Sequence, residues 1–158
     1  MPRFLLIGLA PLAACSSPTR VEYNPPERNE AVAAVNTARG QRQTCNGTPH
    51  DPVSPLHWNG LLGEVARQRA EHIQQTGEFS HDEGATPNAF AVRAQNNGYR
   101  YREIRENLAQ GYPTVQAAVQ AWLASTSGHC ETLMAAHLQD MGMVQRGAYW
   151  VLVVAQPY

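Results

Sequence analysis

The placement of three cysteines constrains the fold of this chain more than any other feature. Cys15 follows a short apolar stretch near the N-terminus, while Cys45 and Cys130 lie about 85 residues apart in the remainder. Disulfides form in exported proteins and are rare in the cytosol. The N-terminus, which carries any export signal, therefore decides how the two distant cysteines are interpreted.

The first 14 residues have the order of a secretory leader. Arg3 supplies a positive charge and residues 4–12 are apolar over about the length of a signal-peptide core. A membrane span would need roughly 20 apolar residues. The stretch ends at residues 12–15, LAAC, which resembles the lipobox of bacterial lipoproteins. That resemblance implies cleavage before Cys15 and lipidation of its sulfur; plain secretion is the alternative, because the two alanines also suit an ordinary cleavage site.

These signals divide the chain into three parts. Residues 1–14 are predicted to be a lipoprotein signal peptide, and residues 15–26, rich in Ser and Pro without apolar periodicity, a tether. Residues 27–158 are predicted to be one domain, large enough to bury its own core. The expected location is extracytoplasmic, with the chain attached to the membrane of a bacterial envelope through Cys15. In Gram-negative bacteria Ser16 would direct it to the outer membrane.

The composition excludes several classes of function. The net charge is −1, and the basic residues are 12 Arg with no Lys and no basic stripe, so nucleic acid is not an expected partner. The sequence also has no HExxH, P-loop, GxGxxG, GxSxG or CxxC motif. Neither the composition nor the motifs predict an oligomeric state.

Cys45 and Cys130 form an even pair once Cys15 is assigned to lipid attachment. In an oxidising compartment they are predicted to form a disulfide. Closing a loop of about 85 residues would contribute roughly 3–4 kcal/mol in the chain-entropy description. The alternative is that Cys130, next to His129, is an activated thiolate.

Apolar residues recur at helical spacing in four segments, which have recognisable start or stop signals. These segments run from about Asn29 to Gly40, Asn59 to Gly77, Thr86 to Gly98 and Pro113 to Ser125. Residues 41–55 are predicted to be a polar loop, 99–108 an extended or irregular segment, and 129–136 a further turn or two of helix.

The C-terminus has the pattern of a β-hairpin. Strands are predicted over residues 141–145 and 149–155, with a turn at Arg146–Gly147. The second strand is apolar on both faces, so it should be central in its sheet or covered by helices. Helices that lead into a hairpin predict a layered α+β fold.

A series of short motifs then stands in a characteristic order. The motifs are residues 79–81 (FSH), 98–99 (GY), 105–109 (RENLA), 118–125 (AVQAWLAS), 127–129 (SGH), 141–143 (MGM) and 149–151 (YWV). This series resembles the CAP superfamily, also called the SCP or PR-1-like domain, and within it the short bacterial branch. The resemblance runs from about Asn29 to Tyr158. It implies an α-β-α sandwich with a small, mostly antiparallel sheet between helical layers.

The resemblance also implies a cleft, with His81, Glu106 and His129 at its functional positions and Asn107 satisfying backbone groups in a nearby turn. Two departures affect this expectation. Arg105 replaces the family's glycine before the glutamate, so the local turn is expected to differ. A second family glutamate is expected after Trp122, but residues 123–126 (LAST) contain no carboxylate.

Three functions fit these residues. A non-enzymatic binding module for a lipid, a sterol-like molecule or another envelope component is preferred, because the second glutamate is missing. The second hypothesis is a metal-dependent hydrolase or protease, with Zn²⁺ on His81 and His129 and Glu106 as ligand, orienting residue or general base. The third is a structural protein that interacts with envelope proteins and whose cleft only preserves the fold.

Overall fold

A computed structural model describes residues 20–158 of the chain. The predicted signal peptide and Cys15 lie outside the described residues, and no helix in the described range is long and apolar enough to cross a membrane. The helices are α1 (Arg28–Arg39), α2 (Gly60–Thr76), α3 (Ala89–Asn96), α4 (Val115–Leu123) and α5 (His129–Leu133). The strands are β1 (Gln43–Cys45), β2 (Thr48–His50), β3 (His57–Trp58), β4 (Tyr101–Gln110), β5 (Asp140–Arg146) and β6 (Tyr149–Pro157).

Local capping signals fix two of the helices where the sequence predicts them. The Asn59 side chain accepts a hydrogen bond from the N–H of Leu61 at the start of α2, and Thr114 caps α4 in the same way. The third helix differs, because it begins at Ala89 rather than at Thr86. Thr86 instead pairs with Glu83 across a tight loop.

The main sheet has the strand order β3-β5-β6-β4. β3 runs parallel to β5, and the other pairs are antiparallel. β6 is central and buried, as its apolar composition predicts. The hairpin turn is Gly147–Ala148 rather than Arg146–Gly147, because β5 continues through Arg146. The predicted polar loop contains a second, small hairpin formed by β1 and β2.

Helices cover both faces of the main sheet, which confirms the predicted α-β-α sandwich. Side chains of successive residues in β5 and β6 point to opposite faces. One set packs with α1, α4 and α5, and the other with α2 and α3. Trp122 of α4 is buried in the first layer, as expected, and its indole N–H donates to the carbonyl of Leu108.

Helix α2 and strand β5 approach each other at the level of their backbones. A Cβ atom added to Gly142 of β5 would overlap the backbone of Leu62 and Gly63 in α2. Only a residue without a side chain permits this contact. The contact at Gly142 therefore fixes the distance between α2 and the sheet.

The predicted disulfide is present. Cys45 in β1 is bonded to Cys130 in α5, and both residues are fully buried. The bond joins the small hairpin to the layer of α1, α4 and α5. Cys130 is therefore not a free thiolate in this structure.

Arg39, at the end of α1, is fully buried and holds the same region. Its guanidinium donates to the carbonyl of Ser54 at 2.9 Å, to that of Ala135 at 3.2 Å and to that of Leu133. All three acceptors are neutral backbone groups. Arg39 therefore attaches the end of α5 and the loop before β3 to α1 without a carboxylate.

The described part of the predicted tether, residues 20–26, lies on the domain. The N–H of Tyr23 donates to the carbonyl of Gly60 at 2.9 Å, and its hydroxyl accepts from Arg146 at 2.7 Å. The guanidinium groups of Arg67 and Arg146 lie 5.9 and 5.5 Å from the centre of the Tyr23 ring. Tyr23 thus fixes this part of the predicted tether to α2 and β5.

Candidate functional site

Glu106 lies at the centre of the candidate site, inside β4 rather than at the end of an extended segment. Its side chain is fully buried, and Oε1 lies 2.9 Å from Nδ1 of His81. The His81 side chain is 46% exposed, so the ring reaches from a buried carboxylate to solvent. Glu106 therefore orients His81 through a direct hydrogen bond.

Arg69 of α2 holds the other side of the Glu106 carboxylate. Nε donates to Oε2 at 2.8 Å and Nη2 to Oε1 at 3.2 Å, so the pair is bidentate. The same guanidinium donates to Glu83 at 2.6 Å and to the carbonyl of Ser80. Burial alone would lower the pKa of Arg69, but the hydrogen bonds and charges of Glu106 and Glu83 raise it. Arg69 thus ties the loop that carries His81 to β4.

Glu83 supplies a second carboxylate to this network. It binds Arg69 and is also held by Arg93 of α3 at 2.9 and 2.7 Å. Burial favours a higher pKa for Glu83, but hydrogen bonds from Arg93 and then Arg69 outweigh it and lower the pKa. A second carboxylate therefore joins the network through Arg69, from the loop before α3 rather than from the segment after Trp122.

Sequence reasoning missed Arg69, Glu83 and Arg93. One signal was available, because Arg69 stands among buried apolar residues on the inner face of α2. A buried arginine needs a partner. The periodicity of α2 thus pointed to an acidic partner across the layer, although it did not indicate which one.

His129 approaches the site from the other side of β4. It begins α5, and its Nδ1 lies 2.9 Å from Oγ of Ser125. Asn107 is not in a turn as expected but in β4, where it is fully buried and donates to the backbone carbonyl of His129 at 2.9 Å. Because neighbouring residues of a strand face opposite ways, Glu106 and Asn107 hold His81 and His129 respectively. Arg105 starts no turn and instead pairs with Glu103.

The two histidines lie close enough to affect each other electrostatically. Burial lowers the pKa of His129, and the charge of His81 lowers it further, against a smaller opposing effect of Glu131. His129 is therefore neutral near pH 7. Each Nδ1 has a side-chain partner, whereas no bond within residues 20–158 is recorded for either Nε2.

The donor set bears on the metal expectation. Within the described range, no group of three or more His, Cys, Asp or Glu side chains is arranged to hold a metal ion. Both oxygens of Glu106 already accept hydrogen bonds from Arg69 and His81. Glu106 is therefore placed to orient His81 and not to act as the third ligand of a catalytic zinc site.

A groove of about 380 Å³ opens beside His129. We call it the aromatic groove, because two aromatic side chains in its wall are exposed: Phe79 by 44% and Tyr112 by 38%. The Phe79 ring also packs against Tyr149, with 5.8 Å between ring centres. Exposed aromatic rings beside a polar group are typical of a binding surface.

A second groove, of about 390 Å³, lies between the start of α1 and the start of α4. Met143 and Trp150 contribute apolar lining, while Glu27 and Glu30 contribute carboxylates. It contains neither histidine of the candidate site. Of the predicted cleft residues, His129 lines the aromatic groove, whereas His81 and Glu106 line neither groove.

Comparison with known proteins agrees with this architecture. The sequence pattern of the CAP (cysteine-rich secretory protein) family matches residues 32–148. Because the match covers most of the chain, this protein belongs to the CAP family. Over 100 residues the chain is 25% identical to the uncharacterized protein YkwD of Bacillus subtilis, a stretch that covers 62% of this chain and 38% of that protein.

Two solved structures of bacterial proteins have the same fold. An extracellular protein of Bacillus anthracis containing an SCP domain superposes with a TM-score of 0.68 at 19% identity, over 85% of this chain and 44% of that one. An outer surface protein of Borrelia burgdorferi gives 0.66 at 18% identity, over 87% and 99% of the two chains. The present chain thus spans less than half of either Bacillus protein, and these identities establish the fold alone.

Proposed function

We propose that this protein is a lipid-anchored CAP-domain binding module of the bacterial envelope, which holds an amphiphilic ligand in the aromatic groove beside His129. One observation carries the choice of a binding module over a hydrolase. The carboxylate of Glu106 is fully buried and is bonded to both Arg69 and His81. A general base must accept a proton from a reacting group, and the buried carboxylate of Glu106 exposes no oxygen atom to such a group.

The extracytoplasmic location has independent support. The disulfide between Cys45 and Cys130 is typical of an oxidising compartment. The two bacterial proteins that share the fold are described as an extracellular protein and an outer surface protein. The lipobox-like residues 12–15 add the lipid anchor, which mass spectrometry of the Cys15 peptide would test.

The groove favours a ligand with an apolar body and one polar group. Phe79 and Tyr112 provide exposed aromatic surface, against which an acyl chain or a flat ring system can pack. The neutral imidazole of His129 provides one hydrogen-bond donor or acceptor at the edge of this surface. A lipid or sterol-like molecule fits these features, as does an apolar segment of an envelope component.

A fluorescent acyl probe tests this proposal directly. We expect saturable binding to the purified protein, weakened at least about tenfold by the double variant Phe79→Ser/Tyr112→Ser, because two exposed aromatic contacts are lost. The matched control is Val92→Ser, which replaces a residue exposed by 39% on α3, outside the groove. Equal affinities for the groove variant and the control would reject the proposal.

A metal site at the two histidines is a second candidate, favoured by the two Nδ1 contacts that leave Nε2 of both rings available. A zinc ion held by His81 and His129 would polarise a ligand oxygen. Calorimetry should show one-to-one binding that is lost in His81→Ala/His129→Ala and kept in His137→Ala, an exposed histidine bonded to Glu103. Only such binding, followed by turnover that His129→Ala abolishes, would revive the hydrolase hypothesis.

A further inference from the structure

We infer that Arg20, Arg100 and Arg102 form a surface that binds the anionic phospholipid headgroups of the membrane in which the protein is anchored. We call these three residues the basic face. The placement of this face against the membrane rests on the proposed lipid anchor, whereas its recognition of anionic lipid rests on the charges described below.

The three arginines gather around Gly98. Arg100 and Arg102 line an open groove of about 500 Å³ together with Tyr158. Arg20 lines an adjoining groove of about 280 Å³, and Gly98 belongs to both. The Arg20 guanidinium lies close enough to Gly98 to be 3.1 Å from a Cβ placed there. The two grooves therefore form one continuous surface.

Arginines without a recorded carboxylate partner come together at the basic face, whereas the other two in residues 20–158 lie apart: Arg28 donates to Asn29, and Arg39 donates to backbone carbonyls. Six other arginines pair with Asp or Glu: Arg42, Arg67, Arg69, Arg93, Arg105 and Arg146. In residues 20–158 no ion pair is recorded for the three arginines of the basic face, all of which are exposed. Net charge is −1, so unneutralised positive charge is concentrated here.

The acidic groups that border this face are already engaged, with one exception. Glu64 accepts from Arg67 and Gln68, and Asp140 accepts from Tyr99 and Asn59. Glu22 is exposed, and its side chain lies against Gly60. Among these side chains, one free carboxylate against three guanidinium groups leaves a net positive charge.

The position of the proposed anchor places the membrane beside this face. Tyr23 is fixed to the domain, and Arg20 is already on its surface. Only residues 16–19 separate Cys15 from Arg20. Five fully extended steps span at most about 18 Å, whatever conformation they adopt. A lipidated Cys15 therefore cannot carry the membrane surface far from the basic face.

The chemistry of the face suits a phospholipid surface. Guanidinium groups bind phosphate oxygens in a bidentate manner, and each basic residue near an anionic membrane contributes about fivefold in binding. Tyr158 is 74% exposed and Val21 60% exposed at the same face, so both could enter the headgroup region. A second attachment of this kind strengthens a single lipid anchor.

The test uses residues 16–158, so that neither the apolar leader nor an acyl group contributes to binding. We expect it to sediment with vesicles of phosphatidylglycerol and phosphatidylcholine mixed equally, and not with pure phosphatidylcholine. Arg100→Gln/Arg102→Gln should weaken this binding by about 25-fold, from about fivefold per arginine. The matched control, Arg28→Gln/Arg42→Gln, removes the same charge from α1 and the loop after it and should change binding by less than about twofold.

Equal binding to both kinds of vesicle, or an equal loss in the control, would overturn the inference. Arg100 and Arg102 are exposed, so an unchanged free energy of unfolding should show that the variant is folded. Mass spectrometry of wild-type protein tests the anchor separately. An unmodified Cys15 would overturn the proposed anchoring and the placement of the face, while the vesicle result would still decide whether the face recognises anionic lipid.

Discussion

The two layers of this protein each contain a fully buried arginine, and the two are held in opposite ways. Arg39 donates only to backbone carbonyls beside the disulfide, and burial lowers its pKa. Arg69 donates to Glu106 and Glu83, whose charges raise its pKa against the effect of burial. The layer of α1, α4 and α5 is thus fixed by covalent and backbone bonds, and the layer of α2 and α3 by paired charges that also orient His81.

The largest effect is expected from Arg69→Met. The substitution leaves the buried carboxylate of Glu106 without a counter-charge, which typically costs about 3–5 kcal/mol in the free energy of unfolding. Urea denaturation measures it, and Arg69→Met/Glu106→Gln should recover part of the loss because the charge is then removed. A cost no greater than that of the surface variant Arg105→Met would show that paired charges do not hold this layer.

The disulfide is the next largest contribution. Cys45→Ala/Cys130→Ala should lower the free energy of unfolding by roughly 3–4 kcal/mol, because the unfolded chain regains the freedom of a long loop. Since the bond belongs to the other layer, the NMR signal of the His81 Nδ1 proton should keep its position. A displaced His81 signal would mean that the two layers are not independent.

Arg39→Met should cost less than Arg69→Met. Three hydrogen bonds to carbonyls are lost, but no buried charge is left behind, so about 1–3 kcal/mol is expected. The same urea titration compares the two variants directly. If Arg39→Met proves the more damaging, the distinction between carbonyl-bound and carboxylate-bound arginine does not explain the difference between the layers.

The smallest effect concerns pH. Because the pKa of His129 is lowered in the folded state, the unfolded chain binds a proton first as the pH falls through the ordinary value of 6.5. The stability that His129 contributes is therefore present above that pH and is lost toward its lower folded pKa. Thermal unfolding of His129→Gln should show a shallower decline between pH 7.5 and pH 5.5 than the wild type, with His137→Gln as control.

Local signals explain which elements could be predicted from the sequence. Asn59 and Thr114 cap their helices with their own side chains, so those starts depend on no distant contact. The start predicted at Thr86 failed because that residue pairs with Glu83 in the loop. The small hairpin was missed although its turn, Asn46–Gly47, is a strong hairpin signal and both residues have positive φ.

Some residues of the candidate site could likewise be predicted from the sequence, and others could not. The resemblance selected His81, Glu106 and His129, and the structure brings the first two into contact and the third into electrostatic range. The resemblance did not select Arg69. The partner of this arginine, Glu106, lies 37 positions away in the sequence. The packing of α2 over β5 and β6 brings Arg69 to Glu106 of β4, and periodicity within one helix cannot reveal that partner.

The close approach at Gly142 has a consequence for sequence variation. Arg69 follows Gly63 by six residues in α2, a rise of about 9 Å, so any side chain at position 142 that lifts the helix also lifts Arg69 away from Glu106. In a saturation library selected for ligand retention, Gly142 should be as depleted of variants as His129, although it touches no ligand. A map of positions that tolerate no substitution would then include Gly142 together with the residues that contact the ligand. The short distance between the backbones of α2 and β5 would be the reason for the intolerance of Gly142.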